Sequence, residues 1–352
     1  MSVRLSLVLE SGLALPDGPV AVYHPTPDHD LSALPAERVE IVQPFKPWHD
    51  RWAQAGYAVV PSAAATPVAA AIVFLPRARA EGRAAIAEAV ERAGESGGVI
   101  LIDGAKTDGI ESILKEVRAR TEVSPALSKA HGKLFSFHAE PELFADWAAR
   151  DQVLDGGFIT RPGVFSADGV DKGSVVLAGM LDEVPLGSHV FDLGAGWGYL
   201  STRLLENGKL KQLDLVEADH VALDCARRNV SDERARFHWA DATVWRPETL
   251  VDSVVMNPPF HVARAGDPGI GQAFVQAAAG MLKPGGKLLL VANRHLPYED
   301  TLSGRFGDVA ELHNDGHFKV ILASRPGKGA GQGRHTAPGR ATSRGGKARA
   351  RR

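Results

Sequence analysis

The sequence predicts an α/β protein of two tandem units, the second closing on a mixed sheet. Three observations carry that prediction. Apolar runs of four to six residues alternate with helix-length segments along both halves, the signature of parallel strands joined by crossover helices. One such run, His189 to Leu193, feeds a glycine-rich turn, Gly194-Ala195-Gly196-Trp197-Gly198. Near the end, Asn314-Asp315-Gly316 separates the strand-like runs Asp308 to His313 and His317 to Ala323. Asp-Gly between two such runs signals a hairpin, so the last strand is expected antiparallel on an otherwise parallel sheet. A length of 352 residues fits two domains.

The glycine turn comes first in the argument. Without Cβ atoms, its backbone N–H groups can approach a ligand closely, and a helix over Leu200 to Leu205 follows. That is the layout of a nucleotide-cofactor cradle at the first strand of a doubly wound sheet. The glycines stand as Gly194-x-Gly196-x-Gly198, one residue tighter at the end than the dinucleotide fingerprint. With Asp192 two residues before them, the turn resembles motif I of the class I S-adenosylmethionine-dependent methyltransferases. The resemblance implies that Asp192, Gly194, Ala195, Gly196 and Gly198 lie at the methionine end of that cofactor.

The strands that follow extend the pattern. Gln212 to Val216 reads as the second strand, ending at Glu217, 25 residues after Asp192. An acid near that offset can accept from ribose hydroxyls. Ala235 to Trp239 reads as the third strand, with Asp241 placed to accept from an adenine amino group. Ser253 to Met256 reads as the fourth and runs into Asn257-Pro258-Pro259-Phe260.

This tetrapeptide is similar to the motif of methyltransferases that modify nitrogens conjugated to a planar group. The chemistry suits it. Such a nitrogen is a poor nucleophile, because its lone pair is delocalised. Acceptors from Asn257 and the Pro258 carbonyl orient it and favour the charge that develops on it, so positioning and electrostatics replace a strong base. Phe260 can stack on the base, a contact worth ~1–3 kcal/mol elsewhere. The prolines stiffen the loop and remove competing donors.

In the first half, Val20 to Tyr23 reads as a strand but runs into Pro25-Thr26-Pro27 with no glycine turn. Then come a strand (Ala71 to Leu75), a helix (Glu81 to Ala93) and the strand Val99 to Ile102 opened by Gly97-Gly98. The second half repeats the scheme with Ser253 to Met256, a helix over Gln272 to Leu282, and Lys287 to Val291 opened by Gly285-Gly286. This reads as an internal duplication, with Leu75-Pro76 where Asn257-Pro258 stands. Leucine accepts no amine proton, so the first copy is expected to be inert. Arg77 and Arg79 after that strand are open to two readings, RNA backbone contact or a solvated face. The segment Gly156 to Ser174 reads as an interdomain loop able to fold over the cofactor cleft, with a helix from Val175 to Leu181 behind it.

Charge is unevenly spread. Nine of the 40 Lys and Arg, and none of the 42 Asp and Glu, fall in 325–352, so the remainder carries a net charge of −11. That Gly- and Ala-rich tail is expected to be disordered and to hold RNA phosphates in a salt-dependent way. The single cysteine, Cys225, excludes a disulfide framework and fits a reducing cytoplasm. Leu5 to Leu9 is too short for a signal segment, and no run suits a membrane helix. No metal is expected.

Three segments in order, Pro162-Gly163-Val164-Phe165-Ser166-x-Asp168-Gly169-x-Asp171-x-Gly173-Ser174, Asn257-Pro258-Pro259-Phe260-His261 and Val291-Ala292-Asn293-x-x-Leu296-Pro297-Tyr298, narrow the resemblance. Together they resemble the bacterial ribosomal RNA guanine-N2 methyltransferases of the small-subunit methyltransferase C type, with the large-subunit methyltransferase G type as near neighbour. The resemblance implies two tandem class I methyltransferase-like (Rossmann-like) domains: a degenerate, non-catalytic one over 1–155 and a catalytic one over 156–324 with a seven-stranded mixed sheet. It implies methyl transfer from S-adenosylmethionine, giving S-adenosylhomocysteine, to the exocyclic amine of a guanine in rRNA, free or in a ribosomal subunit. Asp192, Gly194, Gly196, Glu217 and Asp241 would hold the cofactor, and Asn257, Pro258 and Phe260 the base. A monomer is favoured. The Asn-Pro-Pro motif also serves adenine-N6 and glutamine-amide methylation, and a non-catalytic RNA-binding factor is a further alternative that the intact Asp192, Glu217 and Asn257 set disfavours.

Overall fold

The computed structural model describes residues 3–259, 261–262, 265–266, 268–327 and 334–335. The first sheet contains β1 (Val20–Tyr23), β2 (Val39–Val42), β3 (Ala58–Val60), β4 (Ala70–Phe74), β5 (Val99–Ala105), β6 (Leu127–Lys129) and β7 (Gly132–His138), in the order 3-2-1-4-5-7-6. The second contains β8 (His189–Leu193), β9 (Gln212–Glu217), β10 (Ala235–Trp239), β11 (Val251–Met256), β12 (Leu282–Asn293), β13 (Phe306–Asn314) and β14 (Phe318–Pro326) in the same relative order. A two-residue segment, Arg334–His335, pairs in parallel beside Asp308 and Val309. The duplication read from the sequence is therefore a shared topology. The antiparallel hairpin also stands where Asn314-Asp315-Gly316 predicts it, with β14 between β12 and β13.

The central strands are apolar throughout because both of their faces are covered. In β1 and β4 every residue is buried. Helix α4 (Ile110–Arg118) places Ile110, Ile113, Leu114 and Val117 on one buried stripe, the spacing that gives a helix one apolar face. Truncating a buried side chain such as Ile113 costs ~2–5 kcal/mol. Cys225 is fully buried on α7 (His220–Asn229), a small core residue as expected.

Several boundaries move for local reasons. Helix α5 (Lys172–Ala178) starts at Lys172, not Val175, because the Asp171 carboxylate caps it by accepting from Ser174 N–H at 2.8 Å. Strand β12 extends well past Lys287–Val291 at both ends. The second sheet reaches Pro326, two residues beyond the expected boundary. Disorder is expected over 325–352, but Arg325 and Pro326 belong to β14 and Arg334–His335 pairs with β13; 328–333 and 336–352 lie outside the described residues. Arg79 opens α3 (Arg79–Gly94), and with Arg83 it pairs with Glu116, so it is engaged within the first sheet's own layer.

One correction concerns register. Tyr23 aligns with Val73 in the first sheet, and Leu193 with Met256 in the second. Phe74, not Leu75, thus stands at the position of Asn257, and Pro76 stands at that of Pro259. Side-chain alternation agrees, since Val73 and Leu75 share one core face and Val254 and Met256 share its counterpart.

The halves meet through matching turns. Phe45, after β2, bridges Asp219, after β9. Lys46 N–H donates to the Ala218 carbonyl at 2.8 Å, and His220 N–H donates to the Pro44 carbonyl at 3.0 Å. By register, with Val42 paired to Tyr23 and Val216 to Leu193, Lys46 matches His220 and Pro44 matches Ala218. The contact is reciprocal, as in an isologous dimer interface. Trp239 Nε1 donates to both carbonyls, at 3.1 Å and 2.9 Å, and fastens the joint. Among the described residues no helix is long and apolar enough to cross a membrane.

Candidate active site

The C-terminal edge of the second sheet gathers the predicted residues. Gly194, Gly196 and Gly198 have φ of 74°, 55° and 93°, a backbone region that side chains disfavour. A Cβ at Gly198 would come 2.9 Å from Val230 Cγ2, whereas Gly196 has open space above it. One glycine thus serves packing against α7, and the other leaves room for a ligand.

Two acids flank this turn. Asp192 is fully buried at the end of β8, and one carboxylate oxygen accepts from Ser201 Oγ at 2.7 Å. Its Oδ1 has no hydrogen-bond partner among the described residues. Burial pushes its pKa up to about 7, with the Ser201 hydrogen bond opposing and the Glu217 charge adding. Glu217 ends β9, where Oε2 accepts from Gly196 N–H at 2.8 Å and Oε1 from Asp219 N–H at 2.9 Å. Burial raises its pKa as well, against those backbone hydrogen bonds. An orphaned buried carboxylate oxygen beside an open glycine cradle fits a cationic, amine-bearing cofactor such as S-adenosylmethionine, whose charge would favour the ionised acids. When bound, that cofactor supplies an electrophilic methyl group on a sulfonium.

Asn257 follows β11 directly. Its Nδ2 donates to Asp171 Oδ2 at 2.8 Å and to Ser174 Oγ at 2.9 Å. Both donor positions of the amide are occupied, which fixes its orientation and leaves Oδ1 as the acceptor. A narrow cleft of about 50 Å³ joins Asn257, Asp171, Ser174 and the glycine turn to Phe165 and Ser166. Its size suits the neighbourhood of the reacting atoms, not a whole cofactor. Pro258 is buried and Pro259 half-buried behind Asn257, while Phe260 lies outside the described residues.

The loop before α5 closes one side, as its position in the sequence suggests. Trp197 Nε1 donates to the Phe165 carbonyl at 3.1 Å, and Asn229 Nδ2 donates to the carbonyls of Ile159 and Trp197, both at 2.8 Å. Phe165 stays exposed at the rim. Asp241 sits apart in the turn after β10. Its Oδ1 accepts from Thr243 N–H and Oγ1, so Oδ2 is the oxygen outside this turn. Asp171 and Ser174, quoted in the resembling segment but given no role there, and Ser201, not singled out, contact the expected site residues Asn257 and Asp192. The Asp171…Ser174 spacing was a visible capping signal, but its link to Asn257 was not. Among the described residues no group of three or more His, Cys, Asp or Glu is arranged to hold a metal.

Fold and site together define a class I S-adenosylmethionine-dependent methyltransferase, and residues 155–322 match the Methyltransferase small domain family. The chain is 31% identical over 240 residues to the ribosomal RNA small subunit methyltransferase C of Hahella chejuensis, covering 64% of this chain and 69% of that protein. It is also 31% identical over 265 residues to the Pseudomonas aeruginosa protein of the same name, covering 72% and 79%. It belongs to the ribosomal RNA small subunit methyltransferase C family. Among solved structures, the T. thermophilus 16S rRNA N2 methyltransferase, in complex with AdoMet and guanosine, superposes with a TM-score of 0.73 at 26% identity over 89% of each chain.

Proposed function

We propose that this chain transfers the methyl group of S-adenosylmethionine to the N2 amine of a guanine in small-subunit rRNA. The carrying observation is the amide of Asn257, pinned through both donor positions of Nδ2, so that its acceptor oxygen is left for the substrate amine. Asn257 Oδ1 and the Pro258 carbonyl accept the two amine hydrogens and aim the nitrogen lone pair at the methyl carbon. A C–N bond forms as the C–S bond breaks, the amine releases one proton to solvent, and S-adenosylhomocysteine leaves. Asp192, Gly194, Ala195, Gly196, Gly198, Glu217 and Asp241 hold the cofactor, and Pro259 and Phe260 complete the base side. Residues 1–155 form a non-catalytic domain, 156–324 the catalytic one, and 325–352 a basic tail, in a cytoplasmic protein whose partner is rRNA or the ribosomal subunit.

The test incubates the chain with methyl-labelled cofactor and with small and large subunits, assembled and stripped, and locates the label by mass spectrometry. Label on a guanine N2 of small-subunit rRNA is expected. Label on large-subunit rRNA alone would reassign the substrate, and no label on either RNA, with cofactor bound, would overturn the reading in favour of an adenine or protein-amide acceptor.

A further inference from the structure

Next to Asn257 along the same sheet edge lies a second feature. Strand β12 neighbours β11 and ends at Asn293, followed by Arg294 and His295. Its other neighbour, β14, starts at Phe318, just after His317. Arg294 N–H donates to the His317 carbonyl at 2.8 Å, which locks the two chain ends together. The fold sets this frame, because Lys106 N–H donates to the His131 carbonyl in the same way at the end of β5. Lys172, adjacent to Asp171, completes the edge from the first turn of α5. These residues line an open groove of about 740 Å³ floored by Val176 and Phe318.

The chain outside its tail is strongly acidic, and most arginines of known partner are tied to carboxylates, including Arg83, Arg120, Arg161, Arg228 and Arg234. Lys172 and Arg294 are exposed, and among the described residues neither side chain has an ion-pair or hydrogen-bond partner. Exposed cations with no ion-pair or hydrogen-bond partner among the described residues also stand elsewhere, such as Lys115, Arg118 and Lys211; what sets the groove apart is that two of them share it at the edge that carries Asn257. The one carboxylate lining the groove, Asp315, is engaged in its own turn. It accepts from His317 N–H at 2.8 Å and Phe318 N–H at 2.7 Å. Two unpaired cations on a protein otherwise carrying excess negative charge form a local anion site, and their place beside Asn257 gives the anion's source.

We propose that Lys172 and Arg294 bind the RNA phosphodiesters flanking the target nucleotide, with His295 and His317 at the groove's edge and Phe318 beneath the sugar. This rests on RNA being the substrate. The groove would position the strand so that the extruded base reaches Asn257, which a free nucleoside would not require. Each cation that neutralises a phosphate steepens the salt dependence of binding by ~0.7–0.9 in log–log slope.

The experiment compares the unmodified chain with the Lys172→Ala/Arg294→Ala double variant on 16S rRNA from low to high KCl, reading KM for RNA, kcat and cofactor affinity. The expected result is a KM for RNA raised about tenfold or more at low salt, a slope shallower by about one to two, and retained cofactor binding. A Lys172→Arg/Arg294→Lys variant should keep the slope, and a Lys172→Gln/Arg294→Gln variant serves if the alanine form folds poorly. Unchanged KM and slope in a neutralised variant of an active enzyme would overturn the groove alone. Failure of the unmodified chain to methylate any RNA would overturn the proposed function and the groove with it.

Discussion

The two halves share one strand order and differ almost entirely at the ends of those strands. By register, Gln43 and Glu217 occupy the same place at the end of the second strand. Each accepts from the N–H two residues on, Phe45 at 3.0 Å and Asp219 at 2.9 Å. Gln43 then spends its amide on the Pro25 carbonyl at 3.0 Å, while Glu217 reaches Gly196 N–H at 2.8 Å. Where the second half has an open glycine turn, the first has His24 and Pro25, and Trp52 Nε1 also donates to the Pro25 carbonyl at 2.9 Å. Where the second has Asn257, the first has Phe74, covered by the stacked ring of His29 with centroids 3.9 Å apart. Val22 stands opposite Asp192 by the same register. Topology survives in the apolar strands, whereas ligand chemistry resides in a handful of loop and strand-end residues that can be lost without disturbing the sheet. The first half keeps a structural part, since its Pro44–Lys46 turn braces the loop that follows Glu217.

The strongest way to break this contrast is to remove what only the second half has. Asn257→Ala deletes the pinned acceptor. Turnover is expected to fall by about 10²-fold or more, the scale for losing one preorganised polar group at a reacting centre, with cofactor affinity retained. Near-normal turnover in a steady-state assay would remove Asn257 from the chemistry. Glu217→Gln copies Gln43 into the second half and comes next in size. Losing a charged acceptor forfeits ~1.5–3 kcal/mol, so calorimetry should read a cofactor Kd raised by about tenfold or more. Unchanged affinity would mean that Glu217 serves only the turn through Gly196 and Asp219.

How much of this could be read without the structure follows from where the information lies. Strands such as His189–Leu193 and Ala235–Trp239 are bounded by their own composition, and the observed limits agree to the residue. The hairpin was legible from Asn314-Asp315-Gly316 for the same local reason. Equating Leu75 with Asn257 failed by one residue, because the Pro-containing dipeptides look alike and only pairing with β1 and β8 fixes which face a side chain takes. For Arg77 and Arg79 after β4 the sequence leaves two readings open, because Glu116, which holds Arg79, lies over thirty residues away. Distance in sequence also hid the contacts of Asp171 and Ser174 with Asn257, more than eighty residues on. The acids Asp192 and Glu217 were legible as residues, but their shifted protonation comes from burial, which only packing defines.

The smallest effect sharpens the comparison through stability. Asp192 carries a buried carboxylate oxygen with no partner where the first half carries Val22. Its pKa in the folded chain, pushed up to about 7 by burial first and by Glu217 second, lies above that of an unfolded aspartate. The neutral form therefore favours folding. That contribution is complete below about pH 4, the unfolded value, and is lost as pH rises through about 7. Asp192→Val combined with Ser201→Ala, which avoids leaving the serine hydroxyl unpartnered, copies the apolar first half. Without cofactor, this variant should melt a few degrees above the parent at pH 8, a shift of ~2–4 °C for each kcal/mol in a domain of this size. The gain should shrink towards pH 4 while cofactor binding is lost at every pH. A site that trades stability for ligand binding behaves this way. An equal shift at pH 4 and pH 8 would instead assign the gain to packing and leave the carboxylate's burial without cost.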